Sequence, residues 1–330
     1  MMNYLAIDEA HIQMEFGILG DVSSYQTYPS GELESVKLFG KNMVVTHAGE
    51  LVPAYTQEPR RKNKPSVEFH KNGIIKSVQL EEQTEIETPI GMLPVEFVTF
   101  YPTGEIHKVF VADGQISGFW SEENERQYNI PLSFDLGFTS FRVCTNGICF
   151  YKSGDIKSIA VYPGESIAVD TPIGEIETGI GLSLYENGKL QSIEPKNPLP
   201  LRTPIGKFTA FDPGANGVHA DSNSLVFDEQ ERLLAFSTVE DKVLVQTEEE
   251  EFLTLSPEEK LHPLYDDQKV LSAMTIIFDY KSDEVLIQNE SSYTFSLQTT
   301  GFTIQTIPQE TMGCTPADCA SCLLCNSHNA

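Results

Sequence analysis

The sequence is poor in positive charge, in tryptophan and in long apolar runs, and each scarcity excludes something. Only 22 Lys and Arg stand against 48 Asp and Glu in 330 residues, a formal net charge of −26. A surface that acidic repels phosphates and anionic headgroups, which excludes nucleic acid and membrane surfaces as general partners and favours cations or a protein with a basic surface. No stretch approaches the ~20 apolar residues of a membrane helix. The N-terminal MetMetAsnTyrLeuAlaIleAspGluAla has no basic segment ahead of its apolar residues, so no secretory signal is read and a cytoplasmic location with reduced thiols is expected. The seven histidines, at 11, 47, 70, 107, 219, 262 and 328, fall at no metal-helix spacing, and neither a phosphate loop nor a nucleophile elbow accompanies them.

What is present is a repeat. TyrProSerGly at 28–31, HisLysAsnGly at 70–73, TyrProThrGly at 101–104, TyrLysSerGly at 151–154 and TyrGluAsnGly at 185–188 share aromatic, x, x, Gly. Pro presets φ at the second position of a type I turn, and Gly accepts the left-handed position that closes a three-residue hairpin with a bulge. About eighteen residues after each of several such turns comes a second one. ThrProIleGly stands at 88–91, 171–174 and 203–206, with ThrHisAlaGly at 46–49 in the same place. Units of about 31 to 34 residues follow, each read as some three short strands without helix.

The fold class predicted is therefore all-β: repeated antiparallel hairpin or meander units forming an elongated sheet or solenoid-like array, with a β-propeller or β-sandwich as alternatives. The chain divides into an N-terminal segment (1–24), a β-repeat region (25–210), a degenerate β-repeat region (211–310) and a Cys-rich tail (311–330). In the degenerate region TyrLysSerAsp at 280–283 places Asp where Gly is usual, and Asp tolerates the left-handed region. SerProGluGlu at 256–259 reads as a helix start. AspGly at 113–114 and AsnGly at 146–147 read as hairpin turns, and Trp120 between them as a core residue.

PheTyrProThrGlyGluIleHisLysValPheValAlaAspGlyGlnIleSerGlyPheTrp, residues 100–120, resembles a unit of the MORN-repeat superfamily, in particular its bacterial antitoxin-like variants. The resemblance covers about five units over residues 25–210. It implies stacked β-hairpins that serve as a scaffold or binding surface. The units here are longer, and the Gly, x, Gly phrase usual between hairpins is mostly absent. No catalytic residue carries over.

Chemistry is sought first in the tail. Cys314, Cys319, Cys322 and Cys325 are separated by four, two and two residues, and soft thiolates select Zn, Cu(I) or an iron–sulfur cluster. The spacing matches no standard ferredoxin or zinc module, so a flexible thiol tail or a substrate for modification stands beside the metal reading. Cys144 and Cys149 would face one another if Asn146 and Gly147 form a two-residue turn, and in a reducing cytosol they read as buried thiols. Ser35, Ser77, Ser158 and Ser192 each follow a turn glycine by four positions, where the apolar alternation slips by one; this predicts a β-bulge rather than a nucleophile. ArgArgLysAsnLys at 60–64, the only basic cluster, reads as a solvated loop. The functional expectation is a non-enzymatic β-repeat scaffold or interaction protein. The alternative is a metal-binding or redox protein whose site is the cysteine tail, and a carbohydrate-active or hydrolytic enzyme ranks last.

Overall fold

The computed structural model describes residues 6–7, 11–14, 17–117, 120–215, 220–221, 223–247, 252–262 and 265–307. The chain is almost entirely β and contains an open antiparallel meander of fifteen strands, not closed into a barrel. Two compact units divide it, Met1–Pro198 with Pro213–Phe236, and Leu199–Asp212 with Ser237–Ala330.

In the first unit the meander follows chain order: β1 (Val22–Thr27), β2 (Leu33–Leu38), β3 (Val67–Phe69), β4 (Ile75–Thr88), β5 (Gly91–Phe100), β6 (Ile106–Phe110), β7 (Thr145–Phe150), β8 (Ile156–Val161), β9 (Gly181–Leu184), β10 (Leu190–Ile193), β11 (Leu225–Phe227) and β12, which starts at Leu233. The five aromatic, x, x, Gly turns join the first five pairs, and Asp228–Glu231 joins the sixth. All six close alike: the glycine position's N–H donates to the first residue's carbonyl, and the first residue's N–H to the carbonyl four residues on, as in Gly31 to Tyr28 and Tyr28 to Glu32. The glycines sit at φ between 81° (Gly188) and 103° (Gly104), and Glu231 takes the same region at 65°. In the second unit Asp283 does so at 57°.

One residue before each turn the register shifts, for example between Glu68 and Phe69 against Ser77 and Ile75, so the predicted bulge is present in every hairpin of the row. The slip lets Ile75 and Val78 face the same side, while Ser77 faces the other. An apolar row then crosses the sheet through cross-strand partners, from Val36, Val67, Val78, Val98 and Val109 to Ile148, Ile159, Leu182, Ile193, Leu225 and Phe236, every one buried. Each such side chain contributes roughly 1.5–3 kcal/mol by leaving water. The opposite face carries a polar row through Ser35, Glu68, Ser77, Thr99, Lys108, Cys149, Ser158, Ser183 and Ser192.

The turn aromatics bond forward along the chain. Tyr28 donates its hydroxyl to the Phe69 carbonyl at 2.9 Å, Tyr101 to Phe150, Tyr151 to Leu184 and Tyr185 to Phe227, each at 2.8 Å, and His70 Nε2 lies 3.0 Å from the Phe100 carbonyl. Each acceptor is the residue just before the next turn. The aromatic position therefore ties one hairpin to the next.

Each unit has four strands where three were expected, because the ThrProIleGly turn makes a hairpin of its own. Val44–Thr46 pairs with Gly49–Leu51, and Ile167–Thr171 with Gly174–Thr178, while β4 and β5 run on past the sheet to form the corresponding arm. The Thr hydroxyl donates to the Gly carbonyl and accepts from the third residue's N–H, as in Thr88, Ile90 and Gly91. Val44, Leu51, Ile86, Leu93, Val169 and Ile176 form the buried faces of these outer hairpins. Their tips rest on the turns of the sheet: a Cβ on Gly104 would fall 2.6 Å from the His47 ring, and one on Gly154 would fall 3.2 Å from Pro89.

The second unit holds the hairpin Leu199–Thr203 with Gly206–Ala210, the sheet of Phe252–Leu255, Asp241–Gln246 and Gly301–Thr306, and the strands Met274–Asp279, Glu284–Gln288 and Ser292–Ser296. The helix expected at Ser256 is absent. Glu258–His262 is a strand paired with Tyr265–Ser272, because a cap and proline start no helix where a cross-strand partner claims the backbone. A short helix, α1 (Glu122–Arg126), instead lies between β6 and β7, with Ser121 and Asn124 forming its capping box.

Candidate functional site

Burial of Arg60 at the head of the basic cluster is the main departure from the sequence reading. The segment 52–66 crosses from the first outer hairpin to β3, and Arg60 within it is 7% exposed. Its Nη1 donates to Glu96 Oε2 at 3.1 Å and Glu125 Oε1 at 2.8 Å, and its Nη2 to Glu96 Oε1 at 2.5 Å. Tyr128 lies under the guanidinium, 4.2 Å from ring centroid to Cζ. Burial alone lowers the Arg60 pKa, but the hydrogen bonds and charges of Glu96 and Glu125 outweigh it and the net direction is up. An isolated buried charge is prohibitive, so the arginine is inside because two carboxylates wait there.

Those carboxylates are placed by local structure. Glu96 sits at the register shift between Val95 and Phe97, where a bulge re-aims its side chain inward. Glu125 comes from α1 and also accepts from Gly114 N–H at 2.8 Å and Trp120 Nε1 at 2.7 Å. A Cβ on Gly114 would fall 1.9 Å from that carboxylate. AspGly at 113–114 is therefore no hairpin turn: its glycine admits Glu125, and buried Asp113 accepts Lys64 Nζ at 2.8 Å on both oxygens. Trp120 is partly exposed and serves as a hydrogen-bond donor.

Beside this network the same segment walls a cavity of about 360 Å³, whose lining includes Lys37, Arg61, Lys62 and Lys64, with Glu58 among them. The wall is fixed at several points. Glu81 accepts Tyr55 N–H at 2.8 Å, Thr56 N–H at 3.2 Å and the Thr56 hydroxyl at 2.6 Å. Burial raises the Glu81 pKa but these bonds and Arg61 outweigh it, leaving it below the ordinary value. The Arg61 guanidinium holds the carbonyls of Leu80, at 2.7 Å, and Glu81. Ser66 donates to the Ala54 carbonyl and accepts Leu38 N–H. Lys64 lies 3.6 Å above the Phe97 ring, and burial, outweighing Asp113, lowers its pKa.

The other candidates fall as follows. Cys314, Cys319, Cys322 and Cys325 lie outside the described residues. Among the described residues no group of three or more His, Cys, Asp or Glu is placed to hold a metal ion. Cys144 and Cys149 are free and buried, and they do not face each other, since Asn146 falls in a bulge of β7 rather than a turn. Burial raises both thiol pKa values. Two of the repeat serines are spent on structure: Ser77 donates to Glu68 at 2.6 Å, and Ser192 shares a bond of 2.6 Å with Ser183 while accepting from Asn223. The cavity itself was not legible in sequence, although four basic residues within the five positions 60–64, in a chain so poor in them, were its trace. Compared with protein-family models, curated proteins and solved structures, the chain matches none.

Proposed function

We propose that the protein is a non-enzymatic β-repeat scaffold that binds a protein segment carrying basic and apolar side chains. The observation that carries this reading is the outward face of the outer hairpins in the first unit. Its strands turn Ile86, Val169 and Ile176 inward and leave Glu50, Glu85, Glu87, Asp170, Glu175 and Glu177 exposed. Between these carboxylates the tips expose Val45, Ile90, Met92 and Ile173, each at least 38% accessible. Carboxylates alternating with apolar tips suit a partner of opposite charge with apolar anchors, where charge steers the encounter and apolar contact holds it. The likeness to MORN repeats, a cytoplasmic setting and a metal-binding or redox role for the Cys-rich tail belong to the same proposal. Among the described residues no helix is long and apolar enough to cross a membrane.

The test uses a fluorescent peptide of alternating Lys and Leu, titrated by anisotropy at physiological salt. Reversing Glu85, Asp170 and Glu175 to Lys is expected to weaken binding about tenfold or more, while reversing Asp155, Glu186 and Glu229 on the turn edge of the sheet costs no more than about threefold. Removal of residues 311–330 leaves the affinity unchanged. Equal losses from both triple reversals would mean only that an acidic protein attracts a cationic peptide, and the scaffold reading would fall.

A further inference from the structure

We infer that the cavity under residues 54–66 is a binding site for a small organic or inorganic anion carrying two or more negative charges. The chain as a whole has 22 basic residues against 48 acidic ones, yet the lining of this cavity reverses the balance. Lys37, Arg61, Lys62 and Lys64 face Glu58 in the wall, with Asp113 behind the lysines. Glu81, which holds Tyr55 and Thr56 in the same wall, is a third acid, so one positive charge remains in excess. In a concave, partly desolvated site such an excess is felt far more than on the open surface.

The cations are not all committed. Arg61 and Lys64 are, the first to backbone carbonyls and Glu58 and the second to both oxygens of Asp113. Lys62 is half-exposed and reaches Asp113 only at 3.4 Å, and Lys37 donates to the neutral amide of Asn63. Those two ammonium groups are the ones free to close on a ligand. The amides of Gln57 and Gln115, also in the lining, supply neutral donors. The volume of about 360 Å³ fits a ligand of metabolite size and admits no folded partner. Rigidity is built in, because the Glu81 bonds, the Arg61 clamp and the buried Arg60 anchor hold the wall from three directions. Pre-organised donors lose little entropy on binding.

The test is calorimetric titration of the full-length protein with citrate and, separately, with inorganic phosphate, sodium chloride replacing each at equal ionic strength in the control. Saturable one-to-one binding of either anion is expected, citrate alone assigning a polycarboxylate and phosphate alone a phosphorylated ligand. Lys62→Gln, and independently Lys37→Gln, should weaken it about tenfold, as loss of one charge-assisted hydrogen bond does. The melting temperature without ligand, unchanged in Lys62→Gln because that side chain is half-exposed, separates loss of binding from loss of fold. Heat no greater than that of chloride, or binding undiminished in both variants, overturns the site. Because the outer-hairpin carboxylates are not involved, failure here leaves the scaffold reading standing.

Discussion

Two ion pairs of similar length differ in what they contribute, and burial decides it. Lys196 and Glu177 meet at 2.6 Å with both side chains nearly half exposed. Arg60 and Glu96 meet at 2.5 Å with exposures of 7% and 4%. In water the first pair gains little over its solvated parts, so Lys196→Ala should change urea-unfolding stability by less than about 1 kcal/mol. Glu96→Ala removes one of two carboxylates from an inaccessible guanidinium and should cost about 3 kcal/mol or more. A loss below about 1 kcal/mol for Glu96→Ala would show that Glu125 and Tyr128 alone satisfy Arg60. None of this was readable locally. ArgArgLysAsnLys between prolines has the composition of a solvated loop, and what buries its first residue arrives from Glu96 on β5 and Glu125 on α1, 36 and 65 positions away.

At the scale of the hairpin, legibility was much better, because a tight turn is decided by backbone sterics within four residues. Pro, Asn and Gly positions located the turns, and the slip in apolar alternation located the bulges, including the serines beside them. AsnGly at 146–147 misled for the converse reason: the same permissive glycine suits a bulge, and only the register of β7 against β8 chooses between them. The forward bond of each tyrosine was also hidden, since its acceptor lies 33 to 49 residues on. The turn glycines are not equivalent, and this gives a graded prediction for thermal or urea unfolding. Gly188→Ala, at φ 81° with open space around it, should lose about 1 kcal/mol from left-handed strain. Gly104→Ala, at φ 103° and with its Cβ 2.6 Å from the His47 ring, should lose up to about 1 kcal/mol more, because the exposed ring can swing partly aside. Glu231→Gly works in the opposite direction, relieving a non-glycine at φ 65°, and should gain up to about 1 kcal/mol. Equal losses at Gly104 and Gly188 would mean that the outer hairpin tip does not press on the turn.

For the whole molecule the relevant quantities are the charge and the order of the strands. The meander pairs neighbours in sequence, so each hairpin is held by those on either side, and stability is lost first where a neighbour is missing. β1 is that place: among the described residues of the first unit it pairs only with β2, and five of its six residues are exposed. A net charge of −26 adds a mutual repulsion that every strand shares, while the cationic cluster at Arg60–Lys64 concentrates attraction around β3 to β6. Amide hydrogen exchange should therefore run fastest at residues 22–27 and slowest along the apolar row at Val78, Val98 and Val109. Raising sodium chloride from about 20 mM to about 500 mM shortens the Debye length from roughly 20 Å to roughly 4 Å. That screens the long-range repulsion among surface carboxylates and leaves the buried Arg60 contacts almost untouched, so the melting temperature should rise. Protection in β1 should rise with it, while protection at Val98 keeps its lead. A fall in melting temperature with salt would show that surface ion pairs, and not self-repulsion, dominate the electrostatics of the fold.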